Sequence, residues 1–258
     1  MNPNASLDFG YPWWLSSGHL AIAIPALAMS VVAHLRTWGR WPRILLGLLA
    51  LWATTVFLLM QFGLRVNQAP ALPTQSFLAN GTGRVLDIGA GTGRSTIMVL
   101  NARPNATVVA TDEFGESFNH HFGHTDTPQQ LLQKNLETAG VSNRAKVETA
   151  DMRKLPYEPA SFDAVVSAYA VDHLNRDGIT AALSEVRRVL KPGGDFLLIL
   201  VGNDRWAKFA FGPMLTHGGT RGRDWWAGRT KEAGFELRED GTTPGTLWLL
   251  LRPVKQTQ

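Results

Sequence analysis

The chain has 258 residues, enough for one large domain or a domain with an appendage. Apolar residues make up 45% and charged residues only 18%, and the charge deficit is concentrated in residues 1–65, which hold a single acid, Asp8. The lack of cysteine excludes disulfides, cysteine-ligated zinc and thiolate catalysis; the net charge of +4 suits an anionic membrane surface, while the scatter of the basic residues argues against nucleic acid as a partner.

Met1 to Pro12 has turn formers and no cationic side chain, so the positive start of a secretory signal is missing, although Ala26-Leu27-Ala28 imitates a cleavage site. Trp13 to Leu35 is an uncharged run of 23 residues containing His19, Pro25 and His34, and Ile44 to Leu64 is a purer one of 21. At 1.5 Å per residue each reaches about 30 Å, the hydrocarbon thickness of a bilayer. Trp13, Trp14, Trp38 and Trp41 flank the runs, as interfacial tryptophans do. The pattern predicts two transmembrane helices in residues 1–66, the first kinked or broken at Pro25; the competing reading is a pair of buried core helices. Arg36, Arg40 and Arg43 lie between the runs. A spanning hairpin with a cytoplasmic C-terminal domain puts them outside, against the positive-inside tendency; helices lying partly in one leaflet put them on lipid phosphates. Residues 67–83, with Pro70 and Pro73, read as a linker, and 84–258 as the globular domain.

That domain is organised around Val85-Leu86-Asp87-Ile88-Gly89-Ala90-Gly91-Thr92-Gly93-Arg94-Ser95. A short buried parallel strand ends at Ile88, glycines alternate, and a helix runs to Ala102 with Thr92 as its expected N-cap. A ligand is expected at the turn and at the helix N-terminus. The dinucleotide fingerprint G-x-G-x-x-G fails, because Arg94 stands at the sixth position. Thr107 to Thr111 is the second strand, and Asp112 at its end can accept two ribose hydroxyls. Lys146 to Ala150 and Phe162 to Ala168 are the third and fourth strands. Ile179 to Leu190 is an amphipathic helix, Phe196 to Val201 the fifth strand, Asp224 to Ala233 a helix, and Phe235 to Glu239 with Thr246 to Arg252 a terminal hairpin.

The glycine stretch resembles motif I of the class I S-adenosylmethionine (SAM) methyltransferases, and Leu155-Pro-Tyr-Glu-Pro-Ala-Ser-Phe-Asp163 and Lys191-Pro-Gly-Gly194 are similar to later family motifs. The resemblance implies a seven-stranded, mostly parallel Rossmann-like α/β sheet with helices on both faces. It implies SAM as cofactor, held by Asp87, Gly89, Ala90, Gly91 and Gly93, with Asp112 on the ribose, Asp151 on the adenine amino group and Met152 lining the adenine pocket. It also implies methyl transfer by in-line displacement. Much of the rate then comes from holding a nucleophile about 3–3.5 Å from the methyl carbon.

On the acceptor side the chain departs from the family. Asp172 replaces the first histidine of the usual pair, leaving Asp172-His173 after Tyr169 as candidate base and orienting group; the alternative is that His173 only shapes the loop. Phe114 to Asp126 is an insert carrying His120, His121 and His124, read as a lid, a source of a general base, a metal site without a recognised ligand spacing, or a packed loop. Gly202 to Arg223 is a second insert, with Trp206 and His217. Tyr169, His124, Trp206 and His217 are the expected acceptor contacts. The membrane runs and aromatic inserts favour a small lipophilic acceptor: quinone, isoprenoid, lipid or thiol. The rivals are a soluble acceptor with the hairpin as a tether, and a SAM-binding module without turnover.

Overall fold

The computed structural model describes residues 6–11, 13–64, 68–115, 126–211 and 221–254. Seven strands among them, β1 (Thr82–Ile88), β2 (Asn105–Asp112), β3 (Ala145–Thr149), β4 (Phe162–Ala168), β5 (Leu190–Val201), β6 (Phe235–Thr243) and β7 (Thr246–Pro253), form one sheet in the order β3-β2-β1-β4-β5-β7-β6. The first five pair in parallel and β7 runs antiparallel to both neighbours. The order reverses between β1 and β4, which places a crevice at the C-terminal ends of these strands.

Side-chain alternation assigns each strand residue to a face. Val85, Ala164, Val166, Leu197 and Ile199 share one apolar cluster with α4 (Arg94–Ala102) and α5 (Pro128–Thr138). Leu86, Ile88, Val165, Leu198 and Leu200 share the other with α6 (Arg176–Val189) and α8 (Arg223–Glu232). Both faces are covered, as the resemblance implies. The helix α5 starts at a reciprocal cap, in which Thr127 Oγ1 accepts from Gln130 N and Gln130 Oε1 accepts from Thr127 N.

The N-terminal apolar runs differ from expectation in length. The first breaks at Gly18–His19 into α1 (Trp13–Ser17) and α2 (Leu20–Leu35), while Pro25 lies inside α2. Gly18 N closes α1 onto Trp14 O at 2.9 Å, and a Cβ on Gly18 would meet that oxygen at 2.3 Å, so the turn demands glycine. The 16 residues of α2 reach about 24 Å, short of a bilayer core. α3 (Arg40–Leu58) continues as a π-helical turn over Leu59–Leu64, and Arg40–Phe62 is the one described helix long and apolar enough to cross a membrane. α2 and α3 pack together, and the residues they bury are mostly small: Ala23, Ala26 and Ala33 on α2, and Ala50 and Ala53 beside Val56 on α3. Their outer faces are exposed and apolar.

Residues 68–81 contain no regular helix or strand, yet they are packed. Phe77 and Leu78 are buried, and the Arg103 guanidinium donates to Phe77 O at 2.9 Å and Gln75 O at 2.7 Å. Leu78 N donates to Asp195 Oδ2 at 2.9 Å. The stretch read as a linker is bolted to the domain.

Candidate cofactor and acceptor site

Gly89, Gly91 and Gly93 all have left-handed backbones, with φ of 71°, 51° and 91°. A Cβ on Gly89 would meet the Ala170 Cβ at 2.2 Å, so the first glycine is required by conformation and by space. Gly89 N and Ala90 N both donate to Thr111 O, at 2.8 and 2.9 Å. Gly91 N donates to Asp112 Oδ2 at 3.0 Å, and Phe114 N to Asp112 Oδ1 at 2.9 Å. Asp112 therefore does structural work the sequence reading missed: it clamps the turn. Each oxygen keeps a further lone pair for a ribose hydroxyl.

The N-cap of α4 is Gly93, with no side-chain cap, rather than Thr92. The Thr92 hydroxyl instead donates to Phe9 O at 3.0 Å. Asp87 is fully buried; its Oδ2 accepts from Ser95 Oγ at 2.7 Å and Thr96 Oγ1 at 2.6 Å, and its Oδ1 has no partner. Burial pushes its pKa up from 3.8 to about 6, against the pull of those two hydroxyls. A buried carboxylate oxygen without a partner, one residue before Ile88 and the turn, is complementary to a cationic ligand. SAM carries a sulfonium and an ammonium group, so the donor set fits it.

Asp151, the residue expected at the adenine, is held by Arg153, whose Nε lies 2.8 Å from Oδ1 and 3.0 Å from Oδ2. The same guanidinium reaches Glu113 Oε1 at 3.0 Å, joining the ends of β2 and β3. The Arg153 hydrogen bond holds the Asp151 carboxyl below its ordinary range. Met152 Cε lies 3.0 Å from where a Gly89 Cβ would stand, so Met152 does face the glycine turn.

Of the residues expected to meet the acceptor, Tyr169 has a left-handed backbone, φ 54°, and its hydroxyl pairs with Thr246 Oγ1 at 2.7 Å. Strained backbone of this kind clusters at functional sites. Burial raises the Tyr169 pKa, opposed by the hydrogen bond with Thr246 and then by the Arg94 cation. Asp172 Oδ2 accepts from Val201 N at 3.1 Å, and its buried Oδ1 has no partner. His173 is exposed and makes no side-chain hydrogen bond among the described residues, so the expected Asp172–His173 pair is not formed. His120, His121, His124 and His217, and the side chain of Trp206, lie outside the described residues.

The second insert begins with α7 (Arg205–Phe211), which rests on the hairpin. Trp52 Nε1 donates to Phe209 O at 3.0 Å, and His19 Nε2 lies 3.3 Å from Ala210 O. Two terminal carbonyls of a short helix thus find hairpin partners. The hairpin's feet meet on the first residue of α4: the Arg94 guanidinium lies 5.9 Å from the Tyr11 ring centre, and Arg94 Nε donates to Gln68 O at 3.3 Å.

Comparison with known proteins agrees with this geometry. Residues 85–194 match the methyltransferase-domain family profile. The chain is 32% identical over 122 residues to a demethylmenaquinone methyltransferase of Deinococcus radiodurans, covering 47% of this chain and 44% of that protein. It is 29% identical over 115 residues to a sterol 4-C-methyltransferase of Caenorhabditis elegans, covering 44% of this chain and 29% of that protein. The chain thus spans less than half the length of these two curated relatives. Among solved structures, a SAM-dependent methyltransferase from Aquifex aeolicus superposes with a TM-score of 0.53 at 18% identity, over 67% of this chain and 83% of that one. Residues 85–194 thus match a methyltransferase domain, and the sheet they form with the later strands has the fold of that SAM-dependent methyltransferase.

Proposed function

We propose that this protein moves the methyl group of SAM to a small lipophilic acceptor drawn from a membrane in which the helical hairpin is embedded. The observation that carries the reading is the junction at Arg94. Both feet of an apolar hairpin stand on the first residue of the cofactor-binding helix, so an acceptor descending along the hairpin arrives beside the cofactor. The exposed apolar faces of α2 and α3 support immersion in lipid: Ile24, Leu35, Leu45 and Leu51 are each more than 60% exposed. So does their small-residue interface, the packing mode of helices that lack a hydrophobic drive to associate. The two relatives named for a demethylmenaquinone and a sterol support the acceptor class. The catalytic domain faces the cytoplasm, where SAM is made.

Bound SAM supplies an electrophilic methyl carbon on a sulfonium. The chain's residues do the rest. Asp87 lays a buried negative charge against the cofactor's cationic end, and the Gly89–Gly93 turn admits it without a Cβ in the way. Asp112 takes the ribose, and Asp151 and Met152 the adenine. Tyr169, just past β4, and Thr246, at the start of β7, present paired hydroxyls where the acceptor polar group is held, and Asp172 Oδ1 is the proton acceptor when that group must ionise. In the test, labelled SAM is incubated with the full-length protein and membrane extract, and lipids are read by mass spectrometry. A species gaining about 14 Da, one CH2, is the expected product; SAM binding without product points to a module without turnover.

A further inference from the structure

We infer that residues 7–11 are a strap that holds the cofactor turn in its binding geometry, and that this strap ties cofactor affinity to the seating of the hairpin. The inference rests on the reading that the glycine turn holds SAM. A turn of alternating left-handed glycines is loose by nature, because glycine loses the most freedom on ordering. It binds well only when fixed from outside. Asp112 fixes one side through Gly91 N. The other side is fixed by a closed circuit of hydrogen bonds through Asn135 of α5, which is 2% exposed.

Asn135 Oδ1 accepts from Asp8 N at 2.9 Å, and Asn135 Nδ2 donates to Asp8 O at 2.7 Å and to Thr92 O at 2.9 Å. Thr92 Oγ1 returns the circuit to Phe9 O at 3.0 Å. Thr92 is the residue between the second and third glycines, and both its carbonyl and its hydroxyl are held. The Phe9 ring, 1% exposed, is buried in the apolar cluster shared with α4 and α5. Two residues beyond the strap, α1 begins at Trp13. A displacement of the hairpin therefore pulls on Phe9 and, through it, on the turn.

The test uses the full-length protein in detergent micelles and titration calorimetry with SAM. The variants are Phe9→Ala, Asn135→Ala, their combination, and a deletion of residues 2–10 that retains the hairpin. Circular dichroism fixes a temperature at which each is folded. The wild-type titration is run first; failure to bind SAM there overturns the cofactor reading itself. Given wild-type binding, each substitution raises the Kd about tenfold, or about 1.4 kcal/mol. The double variant is no weaker than the worse single one, because both release one strap. Hydrogen exchange at residues 91–93 quickens in parallel. If Asn135→Ala fails to fold, the deletion decides. A Kd within twofold of wild type in the folded deletion variant overturns the strap.

Discussion

Three carboxylates at the strand ends divide the work by environment. Asp87 is buried with one oxygen unpartnered, so its ionised form is costly. Because its folded pKa is raised, both states are protonated below 3.8 and no cost arises there. As pH rises to about 6 the unfolded chain ionises first and the fold loses stability, by about 3 kcal/mol in all. Asp87→Asn keeps acceptors for Ser95 and Thr96 and removes the charge. Denaturant unfolding should show it about 1–3 kcal/mol more stable than wild type at pH 7, without the fall between pH 4 and 6. SAM affinity should drop in the same variant; tighter SAM binding would contradict a charge placed for a cationic ligand. Asp172 and His173 separate in the same way. Asp172→Asn should lower turnover, while His173→Ala should run near the wild-type rate, since His173 is solvent-facing. The position of Asp112 was legible, as the acid that closes the second strand beside the glycine turn, but its clamp on Gly91 N was not. Asn135 was not read, although a signal was there: it sits among Leu131, Leu132 and Leu136 on the buried stripe of α5. A polar side chain on such a stripe needs specific partners. Phe9 offered no signal, since an aromatic in a turn-rich tail has no periodicity to betray its burial.

The strands were legible because both faces of a parallel sheet demand apolar runs, and their expected bounds fall within a few residues of the observed ones, apart from β5 and β6, which extend further than expected. Helix and linker ends were less so, because they are set by contacts distant in sequence. Thr92 looks like an N-cap until Phe9 O claims its hydroxyl. Residues 68–81 look like a linker because prolines and small residues dominate them, and only the fold brings Arg103 beneath them. Arg103 is 7% exposed and donates to two of their carbonyls. Arg103→Ala should cost about 1.5–3 kcal/mol, the worth of hydrogen bonds to a charged donor, in denaturant unfolding. It should also expose residues 75–77 to limited proteolysis. Unchanged cleavage there would mean that Phe77 and Leu78 alone hold the segment.

At the scale of the whole molecule, the question is what surrounds the hairpin. Leu45 and Leu51 on α3 are 62% and 63% exposed, and α2 presents Ile24 and Leu35 likewise. Water and lipid make opposite demands on these positions. If the hairpin stands in water, Leu45→Lys and Leu51→Lys replace exposed apolar surface by charge, and the variants should be more soluble and equally folded. If it is embedded, a lysine at Leu51, the middle of Arg40–Phe62, costs about 2.5–3.5 kcal/mol, one at Leu45 adds a smaller cost nearer the helix end, and insertion fails. The α2 leg is too short to span unaided, but α3 is not, and the tip arginines can reach headgroups by extending their side chains. The embedded reading therefore predicts that full-length wild type stays in the pellet after carbonate washing of membranes. The Leu45→Lys, Leu51→Lys double variant should move to the supernatant or aggregate. Release of the wild type under the same wash would remove the membrane as the source of the acceptor. The methyl-transfer reading would stand, and the acceptor would then be sought among soluble molecules.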